Sequence, residues 1–182
     1  MNQETEAVLN RKIISLSSAL LLVCAVMFTD RSSLATDFGV NISAAINYDA
    51  ALGNAYADSA ARGQVGTSGR CYQYVWQAIK RVQGGRIEEC GAGVESAYMF
   101  AEWANVNPSQ LMRLFEYKRA DHLGYNQWNA PAGSLLVWDP GQCGYNPVHG
   151  HIEIITEPGY ACSDFCAPVA SCSRPYIYVP SH

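Results

Sequence analysis

The chain is 182 residues long, 49% hydrophobic and 15% charged, which suits one soluble domain with a sizeable core. Its formal net charge of −4 leaves no basic footprint, and this excludes nucleic acid as an expected partner. Removing residues 1–35 does not alter that balance, because Glu4, Glu6 and Asp30 offset Arg11, Lys12 and Arg31.

In chain order, Arg11-Lys12 come first, followed by the uncharged apolar run from Ile13 to Phe28. The run is shorter than the ~20 residues of a membrane span and matches the apolar part of a secretory signal. Ser33-Leu34-Ala35 offers small residues for cleavage after Ala35. Residues 1–35 are therefore expected to be a signal peptide or, if uncleaved, a membrane anchor; only then would a membrane be a partner. Leu22-Val23-Cys24 is a poor lipoprotein box because Val23 is too large. In both cases the rest of the chain is expected to be periplasmic or secreted.

Residues 36–62 are rich in Ala, Asn, Asp and Ser and read as an exposed linker, with one short helix around Tyr48 to Ala60. The compact domain is expected over 63–182. Ser68-Gly69 breaks the chain before an amphipathic helix that starts at Cys71, with Val75, Ile79 and Val82 as its stripe and Trp76 widening it. After the loop GGRIEECGAG, a second helix is predicted over Glu95–Asn107, with Tyr98, Ala101 and Trp103 packing. A third follows the capped turn Asn107-Pro108-Ser109. The second half reads as strands: a buried one in Pro131–Pro140, one in His149–Gly159, a third over Tyr160–Cys166 beyond a tight turn, and a last one in RPYIYVP. Helices first and an antiparallel sheet afterwards is an α+β pattern.

Cys71 opens its helix, where unpaired N–H groups and the helix dipole favour a thiolate. That makes it a candidate nucleophile in need of a base. Of the four histidines, His151 opens a strand; alternation sends His151, Glu153 and Ile155 to one face and Ile152, Ile154 and Thr156 to the other. A base on a strand opposite a helix-borne thiol suits cysteine nucleophilic catalysis. A third group should orient the ring. Asp164 is preferred, as a lateral neighbour on the next strand, with Glu153 as the alternative orienting or substrate-facing carboxylate. Tyr72, Trp103, Tyr125, Trp128 and Tyr145 are candidates to line a cleft, although core packing is expected for most of them.

Cysteine counting supplies the competing reading. Without Cys24 six cysteines remain, namely Cys71, Cys90, Cys143, Cys162, Cys166 and Cys172, and an even count in an exported chain predicts disulfides. Full pairing would leave no nucleophile and imply a non-catalytic, disulfide-stapled wall- or protein-binding module. Short loops favour pairing Cys162 or Cys166 with Cys172, and Cys90 with Cys143 is a further expectation. A metal site built from Cys162, Cys166 and Cys172 with His149 or His151 is the third reading.

SGRCYQYVWQAIKR, PAGSLLVWD, GHIEIIT and CSDF, in that order, resemble the CHAP family of cysteine, histidine-dependent amidohydrolases and peptidases, within the NlpC-like papain-fold group. The resemblance covers residues 63–166. It implies a papain-like fold, no cofactor, and hydrolysis of amide bonds in peptidoglycan stem peptides by Cys71, His151 and Asp164. Gly69-Arg70 stands where members often carry Gly-Gln, so the helix-start amides, that of Cys71 included, are expected to stabilise the oxyanion.

Overall fold

A computed structural model describes residues 46–84 and 94–182 of the chain. The expected leader and Cys90 lie outside the described residues. Four helices come first: α1 (Ala50–Gly63), α2 (Cys71–Val82), α3 (Ala97–Val106) and α4 (Pro108–Phe115). Six strands follow: β1 (Tyr117–Arg119), β2 (Leu135–Trp138), β3 (His151–Glu157), β4 (Tyr160–Cys162), β5 (Cys166–Pro168) and β6 (Tyr176–Pro180). They form one sheet in the order β1-β6-β2-β3-β4-β5, every neighbouring pair antiparallel. The fold is α+β, as expected.

Period-two alternation divides the sheet between two apolar clusters. Leu135, Val137, Ile152, Ile154 and Tyr178 pack with Tyr56, Val75, Ile79, Phe100 and Phe115 of the helices. Leu136, Trp138, Ile155, Ala161, Ile177 and Val179 join a second cluster with Ala120, Ala130 and Val169 from loops. All four residues of β2 are buried because both faces are covered. Each large apolar side chain taken fully out of water contributes about 1.5–3 kcal/mol. In α3 the buried face is Ala97, Phe100, Ala101 and Ala104, so Phe100 rather than Tyr98 supplies the large core residue.

The described part of the expected linker, residues 46–62, is packed structure. Ile46 is in the core, the Asp49 side chain caps α1 by accepting from the Leu52 amide, and Tyr48 bridges to Ser181 beside β6. α1 buries Gly53, Tyr56, Ala57, Ser59 and Ala60. Small residues let it approach closely without a conspicuous apolar stripe, and polar bonds complete the contact. Ser59 Oγ donates to the Ala78 carbonyl at 2.9 Å, and Arg81 Nη2 to the Ser59 carbonyl at 2.9 Å. The folded unit therefore begins before Gly63.

The third predicted strand is also revised. It stops at Cys162, turns through Ser163–Phe165 and resumes as β5, because Cys162 and Cys166 face each other in register and are joined by a disulfide. Cys143 bonds Cys172. Both pairings differ from those expected: Cys172 takes Cys143, leaving neither Cys162 nor Cys166 for it, and Cys143 is not available to Cys90. Bridges of this kind accompany a non-cytoplasmic, oxidising environment. Among the described residues no helix is long and apolar enough to cross a membrane.

Candidate active site

Cys71 is the free cysteine among the described residues and the first residue of α2. Val75, Ala78 and Ile79 bury the opposite part of that helix, so the core holds the thiol at the end of a fixed element. Across a groove of about 280 Å³ stands His151, the first residue of β3. Gly150 before it has φ +66°, and a Cβ there would sit 2.3 Å from the Trp138 carbonyl oxygen, so glycine is required on two grounds. The groove is also lined by Thr67, Tyr145, Asn146 and Phe165.

The imidazole is buried, 6% exposed, and shares the groove with the Cys71 thiol, which interacts with it. Its Nε2 lies 3.6 Å from Glu153 Oε2, an ion pair just beyond hydrogen-bond length, and Nε2 has no hydrogen-bond partner among the described residues. Burial alone would lower the histidine pKa; the interactions with Cys71 and with the adjacent Glu153 carboxylate outweigh it and raise it from 6.5 to about 9. The ring is therefore held as imidazolium at neutral pH. Tyr145 stacks on it with centroids 4.2 Å apart and planes 15° from parallel, and Phe165 stands 6.2 Å away. Burial, then the charges of Glu153 and Cys71, push the Tyr145 phenol up, so it packs as a neutral ring.

Glu153 is positioned by strand register. Trp138 pairs with His151 and Leu136 with Glu153, which makes Trp138 and Glu153 diagonal neighbours on one face. The indole Nε1 donates to Glu153 Oε1 at 3.0 Å, turning the other oxygen to the imidazole. Trp138 was not anticipated in this role. Its place at the end of LLVW opposite the Gly-His was the available signal.

Asp164 does not stand beside His151 in the expected way. Its Oδ2 accepts from the Ser68 amide at 2.6 Å, the Ser68 hydroxyl at 3.0 Å, the Gly69 amide at 2.9 Å and, more weakly, the Arg70 amide at 3.4 Å. Burial works against its ionisation, but the Ser68, Ser163 and Arg70 hydrogen bonds prevail and hold its pKa below the usual carboxylate value. A β-bulge and an early strand end account for the difference. Glu157 pairs with Tyr160, and unbroken pairing from there would set Glu153 opposite Asp164. The register shifts between Ile155 and Glu157, so Ile155 meets Ala161 and Ile154 meets Cys162. β4 ends at Cys162, and Asp164 lies in the Ser163–Phe165 turn, outside the ladder, where it meets the amides that lead into Cys71.

The aromatic candidates separate. Tyr145 lines the groove. Tyr72 and Trp103 pack with Phe100 at the edge of the main core, Tyr125 borders the second cluster, and Trp128 is half exposed near Gly159. The metal reading loses its ligands, since the sulfurs of Cys162, Cys166 and Cys172 are all in disulfides and not thiolates. A larger hollow of about 710 Å³ lies between α3, α4 and β1, lined by Leu111, Met112, Arg119 and His122 among others, and includes neither Cys71 nor His151. Comparison of the chain with protein-family models, with curated proteins and with solved structures finds no match.

Proposed function

We propose that this chain is an exported cysteine hydrolase, an amidase or endopeptidase that cleaves amide bonds of peptidoglycan stem peptides through an acyl-enzyme. The observation that carries the reading is the free Cys71 thiol at the start of a helix, across one groove from a buried imidazole with a carboxylate behind it. The order of the CHAP-like motifs supports the papain-like reading of the α+β fold and the choice of substrate. The two disulfides are in keeping with export.

In this mechanism the Cys71 thiolate, its proton held on the His151 imidazolium, attacks the scissile carbonyl carbon. The backbone N–H of Cys71, at the helix start, donates to the developing oxyanion. The imidazolium then protonates the departing nitrogen, the C–N bond breaks, and an amine leaves a thioester on Cys71. His151, now neutral, takes a proton from water, hydroxide attacks the thioester, and the carboxylic acid departs from the restored thiolate–imidazolium pair. Glu153 keeps the ring in orientation and stabilises its cationic form.

The test is incubation of the purified protein with purified peptidoglycan, wild type beside Cys71→Ala, with mass analysis of released fragments. Wild type is expected to open one class of amide bond, leaving a new amine and a new carboxylate, and Cys71→Ala to release nothing. Equal release by both proteins, or none by either, defeats the proposal.

A further inference from the structure

The amides of Ser68, Gly69 and Arg70 run consecutively into Cys71, and all three converge on one carboxylate oxygen of Asp164. Gly69 has φ +73° with open space around it, so its role is conformational: the reversal of sign curls successive N–H groups inward around an anion. The remaining groups of Asp164 extend the grip. Its Oδ1 accepts from the Ser163 hydroxyl at 3.1 Å, and its backbone carbonyl accepts from the Val65 and Gly66 amides at 2.9 and 3.0 Å. Asp164 itself is 1% exposed and sits in a turn closed by the Cys162–Cys166 disulfide.

Resting on the hydrolase reading above, we infer that Asp164 is a positioning residue for the nucleophile segment: it clamps residues 65–70 so that the Cys71 N–H is presented to the substrate oxyanion. The amides just before the nucleophile are the obvious additional oxyanion donors, and the carboxylate has already taken them. The Cys71 amide, not among the donors to Asp164, is the next in the row. This differs from orientation of His151, which the geometry gives to Glu153. The disulfide keeps the clamp closed by limiting how far the Ser163–Phe165 turn can open.

Three measurements on the purified protein, wild type beside Asp164→Asn, decide the matter: amide hydrogen exchange at Ser68 and Gly69, alkylation of Cys71 by iodoacetamide, and release of fragments from peptidoglycan. Alkylation needs the thiolate but no oxyanion donor; hydrolysis needs both. Loss of charge-assisted hydrogen bonds should speed exchange at the two amides about tenfold or more. Peptidoglycan turnover should fall about 10- to 100-fold, mainly in kcat, as misplacement by a fraction of an ångström to 1 Å does elsewhere. Alkylation should stay within about twofold, since the Cys71–His151 contact is untouched. Alkylation that fell in step with turnover would overturn the inference, because Asp164 would then act on the thiol–imidazole pair. Unchanged exchange would overturn it as well. If wild type releases nothing from peptidoglycan, the proposed function fails, while exchange and alkylation still judge the clamp. Should Asp164→Asn fail to fold, Ser68→Ala removes only the hydroxyl donor; it should loosen the same amides, and unchanged exchange there would count against the clamp.

Discussion

Two buried carboxylates serve the Cys71–His151 groove, Asp164 at its wall and Glu153 behind the imidazole, and they do different things. Glu153 lies inside a regular strand and reaches the imidazole, while Asp164 lies in a three-residue turn and holds the backbone leading to the thiol. Glu153 makes one indole hydrogen bond and one ion pair to a group that is itself charged. Asp164 is surrounded by backbone and hydroxyl donors, so its charge is satisfied without any titrating partner. The comparison separates two ways of preparing a nucleophile: one acts on its base, the other on the peptide that carries it.

Replacing the ring-facing carboxylate should have the largest effect. Glu153→Gln is expected to lower turnover about 10²- to 10⁴-fold, the range of a lost acid–base contribution. It should also bring the His151 pKa down from about 9, moving the alkaline limb of the pH–rate profile to lower pH. Asp164→Asn should leave that limb in place. If Glu153→Gln kept full turnover while Asp164→Asn shifted the limb, the two roles would have to be exchanged.

Trp138→Phe strips Glu153 of its indole donor while preserving most of the packing. Leaving a buried carboxylate oxygen unpaired should cost about 1.5–3 kcal/mol in chemical unfolding and weaken turnover in the same direction as Glu153→Gln. On the other side, replacing Cys162 and Cys166 together by serine removes the staple of the Asp164 turn. Closing so short a loop contributes about 2 kcal/mol on the chain-entropy account. The double variant should reproduce the Asp164→Asn signature at reduced size, with faster exchange at Ser68 and Gly69 and little change in Cys71 alkylation.

The smallest effect is the dependence of stability on pH, and it has opposite signs in the two regions. His151 has a raised pKa, so its contribution is fully present below 6.5 and is lost as pH rises through about 9. Asp164 has a lowered pKa, so its contribution is present above 3.8 and is lost as pH falls through its depressed value. Denaturation midpoints measured across pH should therefore show Glu153→Gln flattening the alkaline edge and Asp164→Asn the acid edge. An acid edge unchanged in Asp164→Asn would mean that the carboxylate gains nothing from its amide partners.

The legible parts of the molecule were those governed by a short repeat. Val75 and Ile79 are buried as the helical period required, and the alternation in β3 puts His151 and Glu153 on one face and Ile152 and Ile154 on the other. The Cys71–His151 approach followed from placing a helix start against a strand start. Asp164 was expected on a strand that in fact ends at Cys162: a bulge shifts the register before it and a turn takes Asp164 out of the ladder, and neither leaves a mark in a hydrophobic pattern. α1 was underread for a related reason: its buried face is made of Gly, Ala, Ser and a single Tyr, so shape rather than hydropathy seats it.

By itself, the order of residues determined the α+β class, the amphipathic α2, the buried β2 run and the identities of a thiol and an imidazole at the starts of two elements, because these depend on local periodicity and on glycine punctuation. Only the tertiary structure decided which cysteines bond, which carboxylate meets the ring and which meets the backbone. Those outcomes depend on distances of a few ångströms between segments far apart in the chain, set by register, by one bulge and by two covalent bridges.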